Sequence, residues 1–116
     1  MNTANSTTRN ASIFWFSGLP GAGKSTIAEA VKSRLELNGL QVLILDGDNV
    51  RSELHKNLGF SESDIEENNR LISELSVQYQ KKYNIILVPI ISPFNKSRNA
   101  ARKKIGKKFY EIFLHA

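Results

Sequence analysis

Between residues 12 and 35 the chain carries an apolar run, a glycine-rich turn and an amphipathic run in immediate succession, and few folds accommodate all three. The turn, Gly18-Leu19-Pro20-Gly21-Ala22-Gly23-Lys24-Ser25, satisfies the pattern G-x-x-x-x-G-K-[ST] at every defined position. Before it, Ser12-Ile13-Phe14-Trp15-Phe16 has the β-branched and aromatic profile of a buried strand. After it, Ile27, Ala28, Val31 and Leu35 recur at helical spacing. A chance match is the competing explanation, because glycine-rich turns with a lysine occur in many loops. Such a match lacks the flanking strand and helix that the motif requires. Glycines at both ends let the backbone curl until successive N–H groups point inward. Lys24 then reaches the β- and γ-phosphates of a nucleoside triphosphate, and the Ser25 hydroxyl is placed to ligate Mg²⁺. The following helix turns the positive end of its dipole toward the same anion, so Gly18 through Thr26 is the expected nucleotide-binding element.

At 116 residues and 41% hydrophobic, the chain has the size of one domain with an ordinary core. The absence of cysteine excludes a disulfide framework, a thiolate metal site and a cysteine nucleophile, and only His55 and His115 offer imidazole. Residues 1–11 read as a disordered lead-in rather than a signal peptide, since Met1 to Asn10 is rich in Asn, Thr and Ser and carries no apolar stretch; residues 12–116 read as the folded domain. No apolar run is long enough to span a bilayer, and a soluble cytoplasmic protein without membrane attachment is expected. The net charge of +5 suits anionic partners but is unevenly placed. Lys96, Arg98, Arg102, Lys103, Lys104, Lys107 and Lys108 crowd one segment, whereas Glu62, Asp64, Glu66 and Glu67 form an acidic patch. Nucleic-acid binding is one explanation of the basic segment; a solvated helix face is preferred, because no aromatic residues interleave with the charges as stacking platforms.

The spacing predicts a helix from about Lys24 to Leu37, a C-cap and turn at Asn38-Gly39, and a second strand over Gln41–Leu45. Val50 to His55 has the pattern of a short helix and Asn57 to Phe60 that of a loop. Ser61, with Asp64 three positions later, marks the start of a long helix running to about Lys82. Asn84–Ile91 reads as a third strand in which Pro89 removes a ladder donor, so a bulge or an early end to pairing is expected there. A helix from Asn95 to about Gly106 and a fourth strand over Phe109–Leu114 complete the pattern. Strands alternating with helices in this way imply an α/β fold, with a parallel sheet and helices on both faces. Ligands of such sheets gather at the carboxyl ends of the strands. Gly18–Ser25, Asp46–Arg51 and Ser92–Asn95 therefore converge on one crevice.

Asp46 and Asp48 bracket a glycine where the second strand ends. Phosphoryl transfer needs charge neutralisation and an aligned attacking oxygen more than covalent help. One aspartate, Asp48 in this reading, can hold Mg²⁺ through water, while the other accepts the proton of a substrate hydroxyl, and Arg51 can pair with an anionic group. The alternative is that one aspartate merely caps the short helix. Two in tandem followed by Arg51 exceed what capping needs.

In order and spacing, Phe14 through Thr26, Leu45-Asp46-Gly47-Asp48-Asn49-Val50-Arg51, Leu58-Gly59-Phe60-Ser61, Glu67-Asn68 and Ile91-Ser92-Pro93-Phe94 resemble the adenylylsulfate kinases. The phosphate loop is generic; the D-G-D-N-x-R and L-G-F-S elements are much more specific. The resemblance runs from about Ser12 to the last residue. It implies a P-loop nucleoside-triphosphate hydrolase/kinase fold and a transferase that moves the γ-phosphate of ATP, with Mg²⁺, onto the ribose 3′-hydroxyl of adenosine 5′-phosphosulfate in sulfate activation. By the same resemblance Asp46, Asp48 and Arg51 contact that nucleotide, Phe60 stacks on its adenine and Asn68 hydrogen-bonds it. Ile91 and Ser92 line the pocket, and Ser92 matches a serine that the family describes as a phosphoserine intermediate. Taken singly, Phe60 also fits a loop aromatic plugging the core edge, and Asn68 a solvent-facing helix residue.

Two departures accompany the resemblance. Asp64-Ile65-Glu66-Glu67-Asn68 puts isoleucine where the family pattern D-R-x-x-N has arginine, so a related kinase acting on another nucleotide, for example in surface-polysaccharide synthesis, is an alternative. The family also continues past the strand matching Phe109–Leu114 into a basic lid and further helices. The domain is therefore expected to be truncated and its fold incomplete. A catalytically inactive nucleotide-binding fragment is the third reading, and a homodimer is compatible with all three.

Overall fold

A computed structural model of the chain describes residues 10–18, 24–45, 61–90 and 95–114. In chain order the elements are β1 (Ser12–Gly18), α1 (Lys24–Leu37), β2 (Val42–Ile44), α2 (Glu62–Tyr79), β3 (Ile85–Pro89), α3 (Asn95–Ile105), a 3₁₀ turn (Gly106–Lys108) and β4 (Phe109–Leu114). The strands form one sheet in the order β2-β3-β1-β4, and every pairing is parallel. The expected short helix at Val50–His55 and loop at Asn57–Phe60 lie outside the described residues.

Side chains alternate across each strand, and the alternation divides the core in two. Ile13, Trp15, Ile86, Val88, Ile90, Leu45 and Phe109 face α2 and α3, where Ile72 and Ala101 complete a buried cluster. Phe16, Val42 and Leu87 face the other way, onto Ala28 of α1, flanked by Phe14, Val31, Leu35, Ile44 and Ile112. Both faces of the sheet are therefore covered, as near-continuous apolar runs in parallel strands require.

Local chemistry sets the helix ends. At the end of α1, Leu40 N–H donates to Leu35 C=O and Gly39 N–H to Glu36 C=O, with Gly39 at φ +85°. This is a Schellman cap, and Leu40 and Leu35 pack in the same apolar cluster, as such caps favour. At the start of α2, the Ser61 side chain accepts from the Asp64 backbone N–H at 3.2 Å. That helix stops at Tyr79 rather than near Lys82. The reason is Gln80, whose C=O accepts from Ala11 N–H at 2.9 Å while its Nε2 donates to Ala11 C=O at 3.1 Å. Continuing the helix would remove Gln80 from both bonds.

Strand bounds are tighter than the apolar runs suggest: β2 covers Val42–Ile44 rather than Gln41–Leu45, and β3 covers Ile85–Pro89 rather than Asn84–Ile91. Pro89 is accommodated by an early end to pairing, not by a bulge. Ile85 N–H and Leu87 C=O both point to the β2 side, bonding Gln41 C=O and Leu45 N–H. By the same alternation the Pro89 nitrogen faces that side, beyond the last β2–β3 pair, Ile44 with Leu87. Its missing donor deprives no partner in the ladder.

Candidate functional site at the carboxyl edge of the sheet

Because all four strands are parallel, Gly18, Ile44, Pro89 and Leu114 end on one edge. All three helices begin on that edge. Helices α1 and α3 follow β1 and β3 across short connections, and α2 must start there because Gln80 just beyond its other end is bonded to Ala11, before β1. Three positive helix ends are thus directed at one rim, which favours an anionic ligand.

Gly18 closes β1, and Lys24 and Ser25 open α1, so the glycine-rich turn spans the step from strand to helix that its pattern demands. Thr26 lies exposed in the first turn of α1. The side chains of Lys24 and Ser25 lie outside the described residues, as do Leu19, Pro20, Gly21, Ala22, Gly23, Asp46, Asp48, Arg51, Phe60, Ile91 and Ser92. Past β2 and β3 the described residues run to Leu45 and Ile90, one residue before Asp46 and two before Ser92, on the rim where β1 ends and α1 begins.

Asn68 is the acceptor-site candidate that the structure describes in full. It is buried, with 1% of its surface exposed, which rules out the solvent-facing alternative. Its Oδ1 has no hydrogen-bond partner among the described residues. A buried amide carbonyl without a partner costs about 1–3 kcal/mol, so its retention one turn above the apolar Ile72 calls for a purpose. Ile65, one turn nearer the rim, is also buried at 8% exposure and gives this part of α2 an apolar wall.

The charged segments neutralise one another in part. Lys96 Nζ lies 2.8 Å from Glu66 Oε2 and ties α3 to α2; its pKa is raised by the hydrogen bond and by the charge of that carboxylate. Arg98 and Arg102 converge on the two carboxylate oxygens of Glu111 in β4, each at 2.9 Å, and Arg102 also covers the Phe109 ring. Arg70 is paired along α2 with Glu67 and Glu74. Lys103, Lys107 and Lys108 remain exposed, so the basic segment is only partly a solvated face. Sequence reasoning passed over Ser17 and Ser97, both buried with unpartnered hydroxyls among the described residues. The available signal was a serine closing the apolar run Phe14-Trp15-Phe16-Ser17. Among the described residues no helix is long and apolar enough to cross a membrane, and no acidic or imidazole cluster is arranged to hold a metal ion.

A parallel sheet of this order, with a glycine-rich turn leading from its central strand into a helix at the carboxyl rim, is the P-loop kinase architecture. The structure of the Mycobacterium tuberculosis APS kinase CysC in complex with AMPPNP and APS superposes with a TM-score of 0.85 and 38% identity, covering 90% of this chain and 62% of that one. The adenylyl-sulfate kinase of Bacillus velezensis is 43% identical over 105 residues, 90% of this chain and 53% of its own length. That of Bacteroides thetaiotaomicron is 48% identical over 103 residues, 88% and 51% respectively. Residues 10–116 match the family model described as adenylylsulphate kinase, and the chain belongs to that family. It spans about half the length of these relatives.

Proposed function

We propose that this chain supplies the phosphate loop and the acceptor wall of an ATP-dependent kinase that phosphorylates the ribose 3′-hydroxyl of adenosine 5′-phosphosulfate. The observation that carries the reading is Asn68, buried in the half of α2 nearer the carboxyl rim with a carbonyl unpartnered among the described residues, in a chain 38% identical to a kinase solved with AMPPNP and APS. In this reading the amides of Gly18–Ser25 and the Lys24 ammonium hold the β- and γ-phosphates of ATP, with Thr26 in the same element. Asp46 accepts the proton of the attacking 3′-hydroxyl, Arg51 pairs with the acceptor's anionic group, Phe60 stacks on its base, and Asn68, Ile91 and Ser92 fix its position. The oxygen attacks the γ-phosphorus in line, the bond to the β-phosphate oxygen breaks, and ADP leaves. Direct transfer needs no phosphoserine, so Ser92 serves as a pocket residue.

The Ser25 hydroxyl and the Asp48 carboxylate are hard oxygen donors, which fit Mg²⁺. When bound, the ion neutralises charge on the transferring phosphate. The cytoplasm, with a small nucleotide as partner rather than nucleic acid, is the setting this activity implies, and a homodimer is compatible with it.

The experiment is ADP release from ATP and Mg²⁺ by the 116-residue chain, measured with and without adenosine 5′-phosphosulfate. Acceptor-dependent release with a 3′-phosphorylated product supports the proposal; nucleotide binding without turnover supports the reading as a binding module. Ile65, buried and apolar where the family pattern has arginine, favours a second reading in which another nucleotide is the acceptor. Turnover with a different 3′-hydroxyl nucleotide in the same assay, and none with the phosphosulfate, would establish it.

A further inference from the structure

Three buried polar atoms stand on β1 and α3: Trp15 Nε1, Ser17 Oγ and Ser97 Oγ. None has a hydrogen-bond partner among the described residues. Trp15 and Ser17 are fully buried and Ser97 is 6% exposed. As residues two apart on one strand, Trp15 and Ser17 face the same side, and Trp15 shares a buried cluster with Ala101 of α3. Ser97 precedes Ala101 by four residues, on the same face of the helix. The two elements run in opposite directions, so the step from Trp15 to Ser17, about 6.6 Å along a strand, matches the step from Ala101 back to Ser97, about 6 Å along a helix. These matched steps set the two hydroxyls and the indole N–H at a common level, toward the carboxyl end of β1.

Among the described residues the surroundings offer these groups little else. Ile13, Ile72, Val88, Ala101 and Phe109 are apolar. Glu111 stands opposite Trp15 in the β1–β4 register, but both its carboxylate oxygens are taken by Arg98 and Arg102. A groove of about 530 Å³ between α2 and α3 has Ser97, Ala101, Asn69 and Ser73 among its lining, so Ser97 borders space that solvent reaches. One indole donor and two hydroxyls that both donate and accept match the two to four partners that a buried water takes. We propose that Trp15, Ser17 and Ser97 form a binding site for ordered water that braces the carboxyl end of β1 against α3.

The test is a high-resolution crystal structure of the 116-residue chain together with urea unfolding of Ser17→Ala and Ser97→Ala. The site predicts water density within hydrogen-bond distance of Trp15 Nε1 and of at least one hydroxyl. It also predicts that each substitution raises the unfolding equilibrium constant by about fivefold, because each removes a satisfied hydrogen bond. The double variant should lose less than the product of the two, since both hydroxyls serve one site. A dry site, hydroxyls bonded directly to protein groups, or alanine variants as stable as the parent or more so would each overturn the proposal. None of these readouts depends on kinase activity.

Discussion

The two ends of the sheet treat their polar groups in opposite ways. At the amino end, Ala11 and Gln80 exchange backbone and side-chain hydrogen bonds. Asn84 is held likewise: its side chain accepts from Gln41 N–H at 2.8 Å and its own N–H donates to Gln41 C=O at 2.9 Å. Toward the carboxyl end, Ser17, Asn68 and Ser97 are buried, yet each has an atom unpartnered among the described residues. Closed pairs lock the chain in register, whereas open ones leave capacity for something that is not part of the chain. In the readings proposed above, the amino end closes its polar groups on one another, and the carboxyl end leaves Asn68 for the acceptor and Ser17 and Ser97 for ordered water.

Five experiments sharpen or break that contrast. The largest expected effect is at the carboxyl end: Lys24→Ala should lower acceptor-dependent ADP formation by about a thousandfold, with the urea midpoint unchanged. Retention of activity within tenfold of the parent would remove the phosphate loop from the chemistry. Gln80→Ala at the amino end should do the reverse, costing about 1–3 kcal/mol in urea unfolding because the buried Ala11 carbonyl loses a donor. Asn68→Ala should leave stability equal or slightly higher while raising the KM for the acceptor nucleotide roughly tenfold with little change in kcat. A clear stability loss would show instead that Asn68 is satisfied within the fold.

Gly39→Ala, near the amino end, places a Cβ at φ +85° with open space around it. Only backbone strain is added, and a loss of about 1 kcal/mol is expected in thermal or urea unfolding. The smallest effect belongs to the link between α2 and α3. Glu66 holds the Lys96 pKa above its ordinary range by hydrogen bond and charge. A folded value above the unfolded one means that the contribution is complete below the ordinary lysine value and fades as pH climbs through the raised one. Comparing Lys96→Met with the parent by urea unfolding across that range should show a small deficit near neutrality that vanishes at strongly alkaline pH.

Much of the architecture was legible because local signals agreed with the global pattern. The bounds of α1 and β4 follow from apolar periodicity bounded by glycine, and the start of α2 from Ser61 and Asp64. The Asn38-Gly39 turn was readable as a cap because only a left-handed residue closes a Schellman motif cheaply. The early stop of α2 was not readable, since it depends on Gln80 meeting Ala11 across 69 positions of sequence. Burial of Asn68 was equally hidden: helical periodicity places it beside Ile65 and Ile72, but nothing local says that a carboxamide on that face stays inside. Ser17 and Ser97 escaped notice because a lone serine in an apolar context is ordinary in sequence. Their meaning appears only when the strand and helix are seen to run in step. The roles of Asp46, Asp48, Arg51, Phe60, Ile91 and Ser92 lie outside the described residues. They rest on motif spacing and family membership.

The strand order has a consequence for how the chain acquires its shape. β1 emerges first but is flanked by β3 and β4, and its partners run as far as the pairing of Gly18 with Leu114. None of the described pairings is a hairpin that could nucleate such a sheet. Its pairings are long-range, and ring-bearing Phe14, Trp15 and Phe16 have no strand partner on the ribosome until β3 and β4 have been synthesised. Holding that segment apart from its neighbours during translation is the chief demand this topology makes on the cell that expresses it.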